Sequence, residues 1–142
     1  MLNQKETEIL SILRQNSRTS LANISRKTNI PISTVFDIIR KQEKNHIQKY
    51  TSLLNFPKLG YHVRVNFAVK VMKENEKNLF EFIEKETRIN NVQKISSGFY
   101  IDAVFTSMKE FSEFSEKLDT FNLKEKKEIH IIEELKKEAF MT

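Results

Sequence analysis

Between residues 33 and 40 the chain gathers two hydroxyls, a phenyl ring, a carboxylate and a guanidinium: Ser33, Thr34, Phe36, Asp37 and Arg40. None of these makes a reaction centre by itself. Together they form a set of donors, acceptors and one apolar contact of the kind that reads base edges. A guanidinium bonds guanine bidentately, a carboxylate accepts from cytosine, and a ring meets a thymine methyl. Around them stand Arg18, Ser20, Lys27, Lys41 and Lys49, groups suited to holding phosphates, which fix register without reading sequence. Each has a plainer alternative: an exposed Lys is most often only solvated, and Phe36 would also pack under a wing.

Reactive chemistry is sparse elsewhere. There is no Cys, which removes disulfides and thiolate chemistry. His46, His62 and His130 are scattered at no metal-ligand spacing. No Gly-rich phosphate loop or nucleophile motif is present. The residues therefore predict no enzyme, no metal and no cofactor.

The elements that must position the first group can be read from spacing. Asn3 with Glu6 three residues later predicts a capped first helix, with Ile9, Leu10 and Leu13 inward and Lys5, Glu8 and Arg14 in water. Ser20 caps a short second helix that buries Ala22 and Ile24 and ends near Asn29, whose tolerance of the left-handed conformation supplies a tight turn. Ile30 then points back into the core. Pro31 pushes Ile30 out of the helical region, Ser33 caps a third helix, and Val35, Ile38 and Ile39 form its buried stripe. Thr34, Phe36, Asp37, Arg40 and Lys41 are left on its outer faces. A second left-handed turn is expected at Asn45, followed by a strand in "HIQKYTSLLNF" that serves as a wing. Three short helices with a sharp turn before the third match a helix-turn-helix whose last helix enters the major groove of double-stranded DNA.

Charge follows the same division. The net charge is +5, and residues 1–60 hold ten Lys or Arg against four Asp or Glu, a local +6. The basic excess lies wholly in the first part, as expected if that part faces a polyanion. Hydrophobic residues make up 39% and charged residues 30%, a composition of folded proteins rather than disordered ones. The amino terminus lacks the blocks of a signal peptide and no apolar stretch would span a bilayer, so the expected location is cytoplasmic with no membrane partner.

The remainder alternates. In "YHVRVNFAVKV" the odd positions from Tyr61 to Val71 are apolar, which predicts a strand with one buried face. A helix burying Leu79, Phe80 and Ile83 follows, then strands at about 92–98 and 100–106 joined around Gly98. A second helix carries Phe111, Phe114, Leu118 and Phe121, and a last strand carries Ile129 and Ile131. This predicts an antiparallel sheet with two helices on one face, the ferredoxin-like arrangement.

In the run from "LNQKETEIL" through "NSRTSLANISRKTNIPISTVFDIIRK" and "NHIQKYTSLLNFPKLGY", and in "SSGFYIDAVF", the chain resembles the Lrp/AsnC (feast/famine) family of transcription regulators. The order of the pieces is more specific than any one of them. The resemblance implies an α+β chain with an N-terminal winged helix-turn-helix followed by a ferredoxin-like βαββαβ module of the RAM type. The expected divisions are 1–50 for DNA binding, 51–60 as a connector strand, and 61–142 for dimerisation and effector binding, ending in a polar tail. It also implies a homodimer, or a tetramer or octamer built from dimers, that regulates transcription by sequence-specific binding. Asn29 and Asn45 stand where the family often has Gly, and Gln42 stands near a position usually filled by Leu.

For an amino acid effector, the resemblance points to Gly98, Tyr100 and Asp102. Here one carboxylate of the family pattern is missing and the other is displaced by one residue, which turns Asp102 to the opposite face unless a bulge absorbs the shift. Two other functions fit the same architecture. One is a sequence-neutral architectural DNA binder; the other is an enzyme resembling siroheme decarboxylases, although "NHIQKYTSLLN" lacks the paired Arg that would meet a tetrapyrrole carboxylate.

Overall fold

The computed structural model describes all 142 residues. The chain divides into two compact units, Met1–Leu53 with Leu135–Thr142, and Leu54–Glu134.

The first unit contains α1 (Gln4–Gln15), α2 (Leu21–Thr28) and α3 (Ile32–Asn45). Asn3 and Glu6 form a reciprocal capping box at the start of α1, and Ser20 Oγ accepts the Asn23 N–H at the start of α2. Both caps satisfy backbone donors that a helix leaves unpaired. Asn29 adopts φ 58 and ψ 28, the left-handed turn that redirects the chain and buries Ile30 beside Ile9, Ile24 and Val35. Ile12, Leu13, Leu21, Ile38 and Ile39 pack around these four.

Four local expectations change. Ala22 is exposed, and its neighbour Leu21 packs on the core beside Ile24 instead. Ser33 is not the cap: Pro31 takes that position, its carbonyl accepts the Val35 N–H at 2.9 Å, and α3 begins at Ile32. Asn45 makes no left-handed turn but is the last residue of α3, which ends when His46 N–H and Ile47 N–H both donate to the Gln42 carbonyl at 2.8 Å. Gln42 is fully buried, and its side-chain oxygen lies 2.6 Å from His46 Nδ1, so a polar residue fixes an end expected to depend on a turn. Finally, residues 47–55 form no strand, and the 51–60 connector holds only a 3-10 turn at Pro57–Leu59. A strand needs a neighbour for its backbone groups, and a single chain supplies none there.

The last eight residues also depart from the expected division. They group with the first unit, where Arg14 donates to the carbonyls of Glu138 at 2.7 Å and Phe140 at 3.0 Å.

In the second unit, β1 (Val63–Val71), β2 (Ile89–Ile95), β3 (Gly98–Phe105) and β4 (Leu123–His130) form an antiparallel sheet in the order β2-β3-β1-β4. Helices α4 (Lys73–Lys85) and α5 (Met108–Asp119) connect β1 to β2 and β3 to β4. This is the ferredoxin-like order, with both crossovers on one face. The inward residues of β1, from Val65 to Val71, pack with Phe99, Ile101, Ala103 and Phe105 of β3 against Leu79, Ile83, Phe111, Phe114 and Leu118 of the helices.

Phe80 was expected in this core but is 44% exposed, and Phe82 takes the inward position against Phe114 and Phe121. The hairpin turns at Ser96–Ser97, with Ser97 at φ 64, and not at Gly98. Gly98 is the first residue of β3, where an added Cβ would lie 1.8 Å from the Val69 carbonyl oxygen. Close approach of two backbones, not a turn, requires glycine there.

Candidate nucleic-acid interface

Because Val35 and its apolar neighbours hold α3 by one stripe, the opposite flank is free. Ser33, Phe36, Asp37 and Arg40 all lie exposed on it, at spacings of three and four, while Thr34 is half-buried. Phe36 is 46% exposed, and the Arg40 guanidinium carbon sits 5.7 Å from its ring centroid. Stacking on a ring orders a long side chain while leaving its edge N–H groups free to donate. Lys44 lies exposed one turn beyond Arg40. The same periodicity that singles out Arg40 reaches it, and it belongs with the candidate contacts.

Of the residues expected at phosphates, Arg18 and Lys27 are exposed around α2, and Lys49 is exposed in the segment after α3. Ser20 Oγ spends an acceptor site on the Asn23 N–H at 3.1 Å, and its own O–H remains a donor. Lys41 is differently placed. Its Nζ bonds the nearly buried Glu6 carboxylate at 2.6 Å, tying α3 to α1, while the side chain stays 60% exposed and keeps further N–H donors.

This pair makes a prediction about acid. The Lys41 ammonium, with the Asn3 N–H, holds the Glu6 carboxyl below the usual carboxylate range. A lowered acid pKa contributes stability that is present above the ordinary value and lost as pH falls through the lowered one. Glu6→Gln is expected to destabilise the protein at pH 7 and to flatten the decline in stability below about pH 4.5. Denaturant unfolding followed by circular dichroism across that range checks it, and parallel wild-type and variant curves would count against the pair.

The three residues expected around an effector lie in the second unit, and the geometry gives them other work. Tyr100 and Asp102 point to the sheet face away from the helices, together with Arg64 and Asn66 of β1. Asp102 accepts two hydrogen bonds from Arg64, at 2.9 and 2.7 Å, and one from Asn90 at 3.1 Å. Arg64 also pairs with Glu134, and its guanidinium lies over the Phe56 ring. Tyr100 Oη accepts from Asn66 Nδ2 at 3.1 Å. The β2–β3 register does shift between Ile89 and Asn91, opposite Asp102. No cluster of His, Asp and Glu has the arrangement of a metal site, and no helix is long and apolar enough to cross a membrane.

Residues 2–47 match the family model described as winged helix-turn-helix DNA-binding. YugG of Bacillus subtilis, an uncharacterised HTH-type transcriptional regulator, is 34% identical over 131 residues, covering 85% of this chain and 78% of its own length. Among solved structures, LrpC of B. subtilis superposes with a TM-score of 0.86 at 21% identity, covering 96% of this chain and 98% of that one. The Neisseria meningitidis transcriptional regulator NMB0573, in its complex with L-Met, does so with a TM-score of 0.85 at 18% identity, covering 96% and 94%.

Proposed function

The chain belongs to the Lrp/AsnC family of transcriptional regulators, and from that premise we propose that it recognises a particular DNA sequence as a homodimer, with the outer flank of α3 seated in the major groove. One observation carries this reading. Base-reading side chain types are exposed on one flank of a helix whose other flank is locked into a core. In this reading Ser33, Phe36, Asp37 and Arg40 face base edges, with Thr34 at the margin. Arg18, Ser20, Lys27, Lys49 and Lys44 face phosphates, while Lys41 braces the helix through Glu6.

A single helix reads too few base pairs to be selective, and a twofold pair reads a pseudo-palindrome. The sheet face away from α4 and α5 supports such pairing, because it carries Ile129 at 43% exposure. The exposed Leu53 and Leu54 of the connector give further apolar surface for a partner. The effector question follows from the same face. NMB0573 is known in complex with L-Met, but in this chain the Asp102 carboxylate is already bonded by Arg64 and Asn90, so we do not carry amino acid recognition through Asp102 to this protein.

Competition binding at fixed salt tests the main reading against an architectural role. A site selected from random DNA is expected to bind ~10³-fold or more tightly than an unrelated duplex of equal length. Equal binding to both would assign the protein to sequence-neutral packaging. Visible absorbance after adding a tetrapyrrole would instead favour the decarboxylase-like reading.

A further inference from the structure

A cleft of about 640 Å³ opens between α4 and the β2 edge of the sheet, lined by Lys73, Glu76, Lys77, Phe80, Val92, Lys94 and Phe99. It lies on the helix side of the sheet, the opposite face from Tyr100 and Asp102. Its floor is aromatic: Phe80 and Phe99 stack with centroids 5.7 Å apart and planes at 26°. Phe80 is large, apolar and 44% exposed on this floor. Its rim is cationic. Lys94 lies over the Phe99 ring and pairs with Glu76, whereas Lys73 and Lys77, one helical turn apart, are exposed with no ion-pair partner. Three ammonium groups against one carboxylate leave the rim with an excess of two positive charges.

We propose that this cleft binds a small monocarboxylate with an aromatic body, its ring laid on Phe80 and its carboxylate held by Lys73 and Lys77. The volume suits a small organic molecule. The floor offers a ring an offset-stacked partner and removes its apolar surface from water. The rim attracts an anion and repels a second ammonium, so an acid lacking the α-amino group is preferred over the amino acid with the same skeleton. Lys94 is already paired with Glu76 and acts mainly as a wall. The site does not rest on the DNA-binding reading and would survive its failure.

The pair 3-phenylpropanoate and L-phenylalanine differs only in that ammonium group. Titration of the full chain, followed by saturation-transfer NMR on each ligand, is expected to show at least about tenfold tighter binding of the propanoate. The double variant Lys73→Gln/Lys77→Gln should weaken the propanoate about tenfold and narrow the preference, and Phe80→Ala should weaken both ligands. All three side chains are exposed, and unchanged thermal unfolding would show that the variants remain folded. The proposal is overturned if neither ligand binds, if L-phenylalanine binds as tightly as the propanoate, or if the lysine variant binds the propanoate unchanged. If neither binds and Phe80→Ala alters the oligomeric state by sedimentation, the cleft is an interface between copies of the chain.

Discussion

Gly98→Ala is expected to cost the sheet unit about 4 kcal/mol or more, enough to leave much of the population unfolded at physiological temperature. The position is ordinary by sequence, one residue after a Ser-Ser turn, and its φ lies outside the left-handed region. Its requirement is spatial. A Cβ would stand 1.8 Å from the Val69 carbonyl oxygen, 2.8 Å from the carbon of that carbonyl and 2.9 Å from Lys70 Cα. All three are backbone atoms of β1, so no side-chain rotation relieves the clash, and the β1–β3 pairing must open at the register Lys70↔Gly98. That pairing is central to the sheet, with β2 and β4 attached on either side. Thermal unfolding of the purified variant measures the loss. A variant within about 1 kcal/mol of wild type would mean that the strands tolerate wider spacing, and would return Gly98 to consideration as a ligand position.

Asp102→Ala is expected to cost about 3 kcal/mol. The Asp102 and Arg64 side chains are 12% and 18% exposed, so the pair has given up most of its water. Removing one partner of such a pair leaves a charge without its compensating bonds, which costs about 3–5 kcal/mol when burial is complete. The lower end applies because Glu134 still faces the Arg64 guanidinium. Asn90 loses its acceptor as well. The double variant Arg64→Met/Asp102→Leu is expected to recover much of the loss, since an apolar pair of similar volume avoids desolvating two ions. Urea unfolding of the wild type and the two variants measures both changes. If Asp102→Ala is neutral while it abolishes the response to an added amino acid, the carboxylate serves a ligand and not the sheet.

These two positions mark where sequence reasoning ends. The helix-turn-helix was legible because its signals are local. Asn3 with Glu6, Ser20 and Asn29 announce caps and a turn through side chains that act within three residues. Val35, Ile38 and Ile39 announce a buried stripe by spacing alone. The alternation in β1 announced the sheet for the same reason. What was not legible depends on contacts between distant segments. The bond from Lys41 to Glu6 spans 35 residues and that from Arg64 to Asp102 spans 38. The end of α3 at Asn45 was legible but its cause was not: Asn45 fits a left-handed turn by type, whereas the helix closes on the Gln42 carbonyl with the buried Gln42 side chain bonded to His46. Phe80 and Phe82 are equivalent in composition and nearly so in spacing, and only the packing of Phe114 and Phe121 chooses between them. The expected wing strand failed for lack of a neighbour, a fact that no property of residues 47–55 reveals.

The site is legible in the same uneven way. Ser33, Phe36, Asp37 and Arg40 reach one exposed flank, as spacing required, but the stacking of Arg40 on Phe36 and the pairing of Lys41 with Glu6 are structural facts. They sharpen the proposed contacts: Arg40 would reach a base edge already ordered on Phe36, and Lys41, still exposed, would share its charge between Glu6 and a phosphate. The direct test of α3 in the groove is a binding cycle on the selected site, with guanine or 7-deazaguanine at the contacted position and with wild-type protein or Arg40→Ala. Wild type is expected to lose ~1–3 kcal/mol when the guanine N7 acceptor is removed, and Arg40→Ala to lose a similar amount on normal DNA and nothing further on the substituted site. Equal losses in both proteins on the substituted site, with Arg40→Ala weakening specific and unrelated DNA alike, would make Arg40 a phosphate contact and contradict base reading by it from this flank of α3.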